Sequence, residues 1–298
     1  MLIQILTQEI GLTGIVLQWF ISFITDRSQR VRIGNHFSDG VGVSYGVPQG
    51  SVLGPVLFNI YIRSLYAVIY SNGFKVAGYA DDHQVYKHFD TRHQFITLTQ
   101  NIIDCLQTIQ NWMSSFFLKL NPQKTEVLLL GNKAILSRIA IHGVNLPGGH
   151  PIRFVSVAKN LGVYIDQYLT FNSQVSATIS SCFAMIRRIS KVKHFLPRDL
   201  VRNLIISLVI NIFDMCNSLY YGVNLNLIAK LQSLQNSAAK IIYGRSRREG
   251  VSDIFQELHW LPVKDRVYFK IILHVHNCIH GTAPVYLQDL IVVSLPAS

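Results

Sequence analysis

Two adjacent carboxylates, Asp81 and Asp82, carry the sharpest chemical signal in the sequence. They fall between two short apolar stretches, about Phe74 to Tyr79 and His83 to Lys87, which places them at the tip of a hairpin. Neighbouring negative charges repel, and where water does not screen them a bound cation relieves the repulsion. Hard oxygen ligands on a rigid turn, with room for water and a triphosphate, are what Mg²⁺-assisted phosphoryl transfer requires. The plainer alternative is a hydrated turn, where aspartate serves local hydrogen bonding. The pair alone does not exclude it. His83 reads as a strand residue rather than a general base.

A second chemical feature lies upstream. Tyr45, Gly46, Val47, Pro48, Gln49, Gly50, Ser51, Val52, Leu53, Gly54 and Pro55 form a loop running into a helix, with Gly46 placed 35 positions before Asp81. Glycine lets a backbone approach a base or sugar closely, while Pro48 fixes its own φ and restrains Val47. Gln49 has the donors and acceptor to read a base or its sugar, and Ser51 opens a helix N-terminus suited to phosphate. A simple turn would use the same glycines.

These residues need elements to hold them. The spacing of Leu17, Trp19, Phe20 and Phe23 predicts a helix from about Leu2 to Phe23, interrupted near Gly11 and Gly14. Arg27 to Arg32 reads as a strand, Gly40 to Gly54 as a loop and Val56 to Ile69 as an apolar helix. Ile96, Ile103, Leu106, Ile109, Met113 and Phe116 recur at helical spacing across Gln94 to Phe117. Glu126 to Leu130 and Asn160 to Ile165 read as strands. The first 170 residues are therefore α+β. After Phe171 nearly everything reads as helix, from Gln174 through Leu219 and from Leu225 to Tyr243.

Composition narrows the partners. The 298 residues are 49% hydrophobic and 14% charged, enough for a substantial core and unlike a disordered chain. A net charge of +11 favours a polyanion over an acidic small molecule. Residues 171–298 hold 14 Lys and Arg against 7 Asp and Glu, so the C-terminal half is the more phosphate-facing part. Within it lie Arg187, Arg188, Lys191, Lys193, Arg198 and Arg202, opposed by Asp199 alone; a solvated helix face is the bland reading. Arg245, Arg247 and Arg248 form a shorter cluster that suits an exposed turn or an RNA contact. The cysteines Cys105, Cys182, Cys216 and Cys278 are too far apart for a zinc ribbon, and reduced thiols imply an intracellular compartment. On one helix His276 and His280 share a face, as do His274 and Cys278, but the two pairs point about 160° apart and cannot meet one ion. No apolar run is long enough to predict a membrane span.

In combination the loop and the carboxylates resemble a known family. The run GVPQGSVLGPVLFNIYI followed by YADD looks like motifs B and C of the reverse transcriptases of non-LTR, or LINE-type, retrotransposons. GLTGIVLQWFISFITDRSQRVRIG resembles the segment before motif B, LNPQKTEVLLLG motif D, and KNLGVYID motif E, the primer grip. LQNSAAKIIYGRSRREGVSDIFQELHWLPVKDRV is similar to the tail of the same elements. The resemblance implies a partial right-hand palm over residues 1–170, a helical thumb-like region over 171–224 and a helical tail over 225–298. It implies that Asp81 and Asp82 bind two Mg²⁺ ions and that Tyr79 and Ala80 lie near the primer end. Gly46 to Ser51 would line template and nucleotide, Lys124 would support the departing pyrophosphate, and Leu161 and Gly162 would support the primer backbone. The basic run from Arg187 to Arg202 would grip the nucleic acid. The implied reaction is attack of a DNA primer 3′-hydroxyl on a deoxynucleoside triphosphate, directed by an RNA template.

One departure from the family pattern stands out. Palm polymerases carry a further aspartate in motif A, on a strand before the helix that here begins at Leu2; neither Glu9 nor Asp26 has that context. The expectation is a chain inactive by itself. The alternatives are a non-catalytic nucleic-acid-binding remnant, or a transposon relic without a selected role.

Overall fold

A stretch containing glycine separates the first two helices. α1 (Leu2–Gln8) and α2 (Gly14–Ile24) are separated by an interval bounded by Gly11 and Gly14, both at positive φ (78° and 59°), where a side chain would be strained. The break falls where the sequence places it. The computed structural model describes residues 1–44, 46–47, 50–89, 95–137, 144–145, 151–246 and 248–292. These form two compact units, Met1–Val127 with Ser137–Phe154, and Leu128–Leu136 with Val155–Ser298. Both mix helices with small sheets.

In the first unit α2 leads into a β-ribbon: β1 (Arg27–Gln29), β2 (Arg32–Ile33), β3 (His36–Phe37) and β4 (Val41–Val43), with β1 antiparallel to β4 and β2 to β3. The strand expected over Arg27 to Arg32 is thus split, and the expected loop from Gly40 contains a strand, because Val41 to Val43 supplies the partner that Arg27 to Gln29 needs. The helix expected over Val56 to Ile69 is two, α3 (Gly54–Tyr61) and α4 (Arg63–Ser71), meeting at Ile62. β5 (Lys75–Tyr79) and β6 (Asp82–Tyr86) make an antiparallel hairpin, followed by α5 (Phe95–Ser115). β7 (Glu126–Leu128), β8 (Val144–Asn145) and β9 (Pro151–Val155) form a three-stranded sheet in the order β7-β9-β8, of which only β7 is legible in the sequence.

A two-stranded hairpin is marginal in water without support. Here Leu65 and Ile69 of α4, Ile102, Cys105 and Ile109 of α5, and Phe74 form a buried cluster, against which Val76 and Val85 of the hairpin pack. Each buried Leu or Ile contributes about 1.5–3 kcal/mol. The two helices therefore hold the hairpin, not its own ladder.

The second unit contains α6 (Lys133–Leu136), the hairpin β10 (Val157–Asn160) and β11 (Val163–Asp166), and then helices: α7 (Asn172–Val192), α8 (Arg198–Ile205), α9 (Asn211–Asp214), α10 (Leu225–Tyr243), α11 (Ser252–Glu257), α12 (Val263–Ile279) and α13 (Val285–Gln288). The helical stretch expected from Gln174 to Leu219 is interrupted at Pro197, which cannot donate to a helix interior, and is widened to a π-helix over Ile206–Ile210. Val175, Thr178, Cys182, Ile186 and Ile189 of α7 are buried at helical spacing, and face Leu227, Leu231, Leu234, Ala238 and Ile242 of α10 in one core. Burial pushes the Cys182 thiol up to about 11, so it stays protonated and donates to the Val209 carbonyl of the π segment (3.6 Å). Two buried amides of this core are paired: Gln174 accepts from the Tyr164 N–H, and Gln235 donates to the Leu261 carbonyl. No helix among the described residues is long and apolar enough to cross a membrane.

Asp166 joins β11 to α7. Its buried carboxylate accepts from the N–H groups of Tyr168, Thr170 and Phe171 and from the Thr170 hydroxyl. Burial raises its pKa, and the hydrogen bonds outweigh that and leave it below the ordinary carboxylate value. Leu169 and Phe171 sit at positive φ within this loop, so the carboxylate holds a backbone that otherwise relaxes. Asp166→Ala strands three amides and is expected to cost about 3 kcal/mol in denaturant unfolding. A folded pKa below the unfolded one stabilises the fold above pH ~4 and loses that contribution as pH falls through the depressed value. The acid limb of the wild-type stability curve should therefore flatten in Asp166→Ala.

Candidate functional site

The register of β5 and β6 pairs Tyr79 with Asp82 and leaves Ala80 and Asp81 as a two-residue turn. Ala80 adopts φ 53°, a left-handed conformation that costs an L-residue free energy. Alternation puts Tyr79 and Asp82 on one face of the hairpin, and Gly78 and His83 on the other with Val76 and Val85. Asp81 and Asp82 are exposed, Tyr79 is 69% exposed, and among the described residues neither carboxylate has a hydrogen-bond or ion-pair partner. His83 bonds through Nδ1 to the Asp81 carbonyl (3.1 Å); a carbonyl only accepts, so Nδ1 carries the proton and Nε2 faces the interior without a partner. His83 braces the turn.

Gly78 was not singled out by sequence reasoning, and it is where the turn meets its support. A Cβ built there would lie 2.0 Å from the Tyr66 hydroxyl oxygen, 3.0 Å from Tyr66 Cζ and 3.2 Å from His83 Cδ2. Tyr66, on α4, meets His83 edge-on at 5.9 Å. Nothing in the residue spacing signals this approach; only packing does.

In the glycine loop, Gly46 and Gly50 take positive φ (78° and 84°), as a loop built on glycine should. The Gly46 carbonyl accepts from Arg27 (2.6 Å), whose Nε also caps the Ile24 carbonyl at the end of α2. Arg27 is a second anchor that the sequence did not reveal. The Ser51 hydroxyl accepts from the Gly54 N–H (3.1 Å) and opens α3, so it serves the helix start first. Val47 is half-buried. Pro48 and Gln49 lie outside the described residues.

The remaining candidates are scattered along the chain. Lys124 is exposed in a turn before β7, held by the Asn121 carbonyl and side chain. Leu161 and Gly162 form the turn of the β10–β11 hairpin, both at positive φ (44° and 87°), with Leu161 49% exposed. Arg187, Arg188 and Lys191 are exposed on the last turns of α7 and share an arc of about 100°. Lys193 is half-buried and Arg202 exposed. Arg198 is otherwise engaged: it stacks 3.6 Å over the Tyr243 ring and pairs with Glu257 at 2.6 Å. Arg245 is likewise spent on Asp253 and the Gly250 carbonyl; Arg247 lies outside the described residues. His276 and His280 stack at 4.0 Å, and no group of three metal-ligating side chains gathers among the described residues.

Residues 4–165 match the family model described as reverse transcriptase (RNA-dependent DNA polymerase). The chain is 28% identical over 235 residues to a probable RNA-directed DNA polymerase from transposon BS of Drosophila melanogaster, covering 74% of this chain and 25% of that protein. It is 25% identical over 259 residues to the RNA-directed DNA polymerase from mobile element jockey of the same fly, covering 83% and 27%. A retrovirus-related Pol polyprotein from type-1 retrotransposable element R1 2 of Nasonia vitripennis is 24% identical over 155 residues, 52% of this chain and 36% of that one. The chain thus spans about a quarter to a third of these relatives.

Two outcomes follow from this geometry. Gly78→Ala should cost about 1–3 kcal/mol by overpacking against Tyr66, and about half as much in a Tyr66→Phe background, as a double-mutant cycle in urea would show. In nucleic-acid filter binding over a salt series, Arg187→Gln, Arg188→Gln and Lys191→Gln should each shallow the log–log slope by about 0.9 on duplex. Arg198→Gln should leave the slope unchanged and lower stability instead.

Proposed function

Because the chain belongs to the reverse transcriptase (RNA-dependent DNA polymerase) family, with relatives in non-LTR retrotransposons, we propose that it supplies the palm hairpin and thumb of an RNA-directed DNA polymerase. The observation that carries this reading is the exposed Asp81–Asp82 pair, unpaired among the described residues, on a hairpin tip braced by Gly78, Tyr66 and His83. Solvation alone needs no such bracing.

The donor set fits Mg²⁺ in kind, since both groups are hard carboxylate oxygens with open faces; an Mg²⁺ site commonly uses one or two carboxylates and fills the rest with water and substrate phosphate. Bound there, Mg²⁺ supplies charge stabilisation to the attacking and leaving oxygens of phosphoryl transfer. The chain's own residues do the positioning. Tyr79, on the same face as Asp82, offers a ring to the primer end, and the positive-φ turn at Ala80 keeps Asp81 projecting. The left-handed glycines Gly46 and Gly50 allow template and nucleotide to approach the backbone before α3. Pro48 and Gln49, outside the described residues, belong to the same proposed template- and nucleotide-binding run. Lys124 meets the departing pyrophosphate, and Leu161 and Gly162 support the primer. Arg187, Arg188, Lys191, Lys193 and Arg202 hold nucleic-acid phosphates. The substrates are an RNA template, a DNA primer and deoxynucleoside triphosphates. With two carboxylates at the tip and no group of three metal-ligating side chains among the described residues, this chain alone transfers little or nothing. The exposed basic arc on α7 favours a second reading, that the chain binds nucleic acid without extending a primer.

Mn²⁺ titration tests the assignment. Paramagnetic broadening should centre on the amides of Tyr79 to His83 and vanish in the Asp81→Asn, Asp82→Asn double variant; a hairpin left sharp by Mn²⁺ refutes it. Primer extension by the same chain on poly(A)–oligo(dT) with Mg²⁺ should stay at background, and robust incorporation would show that two carboxylates suffice.

A further inference from the structure

A cavity of about 540 Å³ opens in the second unit between the loop entering α7 and the segment entering α10. Its polar walls come from Tyr168, Thr170, Asn172, Asn224, Asn226 and Lys230. None of the lining residues is acidic, and Lys230 is the single ionised side chain among them. The Lys230 ammonium is exposed and has no carboxylate partner among the described residues. Asp166, whose charge opposes an anion, is buried and turns its oxygens toward three backbone amides and the Thr170 hydroxyl rather than toward the open cavity. The helices that start at the rim, 21 and 19 residues long, carry no acidic residue in their first turns; Asp166 meets the Phe171 N–H ahead of α7, whereas α10 starts on the neutral Asn224 cap, so its positive end adds to the ammonium. A volume of this size suits a small ligand, and Tyr168, 39% exposed, offers a ring beside the polar groups.

We propose that this cavity is an anion site that seats a phosphate group against Lys230, with the asparagine amides as further donors. Such a phosphate belongs to a free ion or to a nucleotide whose base lies on Tyr168. The site goes beyond the nucleotidyl-transfer reading, since all its residues belong to the second unit while Asp81 and Asp82 belong to the first.

The test uses the full chain and amide NMR at constant ionic strength, with inorganic phosphate, adenosine monophosphate and adenosine as separate probes. Phosphate and the nucleotide should shift the amides of Asn172, Asn226 and Lys230 saturably, while adenosine should not. Lys230→Gln should raise the half-saturation concentration about tenfold, the loss expected for one charge-assisted hydrogen bond, and Lys230→Arg should restore it. Tighter binding of the nucleotide than of phosphate assigns a nucleotide ligand, and equal binding assigns the free ion; either supports the site. Shifts that rise linearly without saturation, that survive Lys230→Gln, or that adenosine reproduces overturn it. Loss of the Asp81 and Asp82 carboxylates should change none of these shifts, which keeps the outcome separate from that of the proposed metal site.

Discussion

The pairing of Tyr79 with Asp82 is the constraint on which the proposed chemistry of this chain rests. That register leaves two residues for the turn, projects Asp81 from it, sets Asp82 beside Tyr79 on the open face and sends His83 to the other. A slip of one residue would reverse every side chain of β6 and bring Asp82 toward the apolar helices. Val76 and Val85 prevent the slip, because they bury on the side that α4 and α5 occupy. Gly78 then permits the strand to come within reach of Tyr66. The position of two carboxylates is thus decided by apolar contacts several residues away.

Both two-residue hairpins that hold candidate residues place an ordinary L-residue at positive φ, Ala80 at the first tip and Leu161 at the second. Asn and Gly are the residues such turns favour, so each tip costs about 1–2 kcal/mol more than a turn chosen for stability alone. Leu161 is also half exposed, where a polar residue would be better solvated. Strain of this kind persists only where the surroundings over-determine it, and α4 and α5 do so for Ala80. Asp166 shows the same economy without an exposed functional group: three amides and a hydroxyl hold Leu169 and Phe171 in left-handed conformations ahead of α7.

The elements legible in the sequence are those with strong periodicity. α5 and α10 are read nearly to their ends, because apolar residues recur every three or four positions and Gly244, at φ 66°, stops α10. The carboxylate hairpin is legible because its strands are apolar and its tip is not. The short strands β4, β8 and β9 are not legible, since two to five residues carry too little alternation to signal a strand. The anchors of the site are missed for a related reason. Gly78, Tyr66 and Arg27 act through a close approach or a bond to a carbonyl, and neither has a signature in spacing.

Charge is the property that sequence counts well and places badly. Residues 171–298 carry an excess of seven positive charges, and three arginines there, Arg198, Arg245 and Arg266, are paired with Glu257, Asp253 and Asp214. Pairing neutralises acid and base together, so the excess survives intact, but it no longer belongs to the residues that look most basic in a row. It moves to cations without a carboxylate among the described residues: Arg187, Arg188 and Lys191 at the end of α7, Arg202 on α8 and Lys230 at the cavity. An exposed pair such as Arg198–Glu257 adds little stability by charge alone, yet with the Tyr243 ring beneath the guanidinium it holds Arg198 in place. The positive face that the helices offer then depends less on how many basic residues they contain than on which of them the fold leaves unpaired.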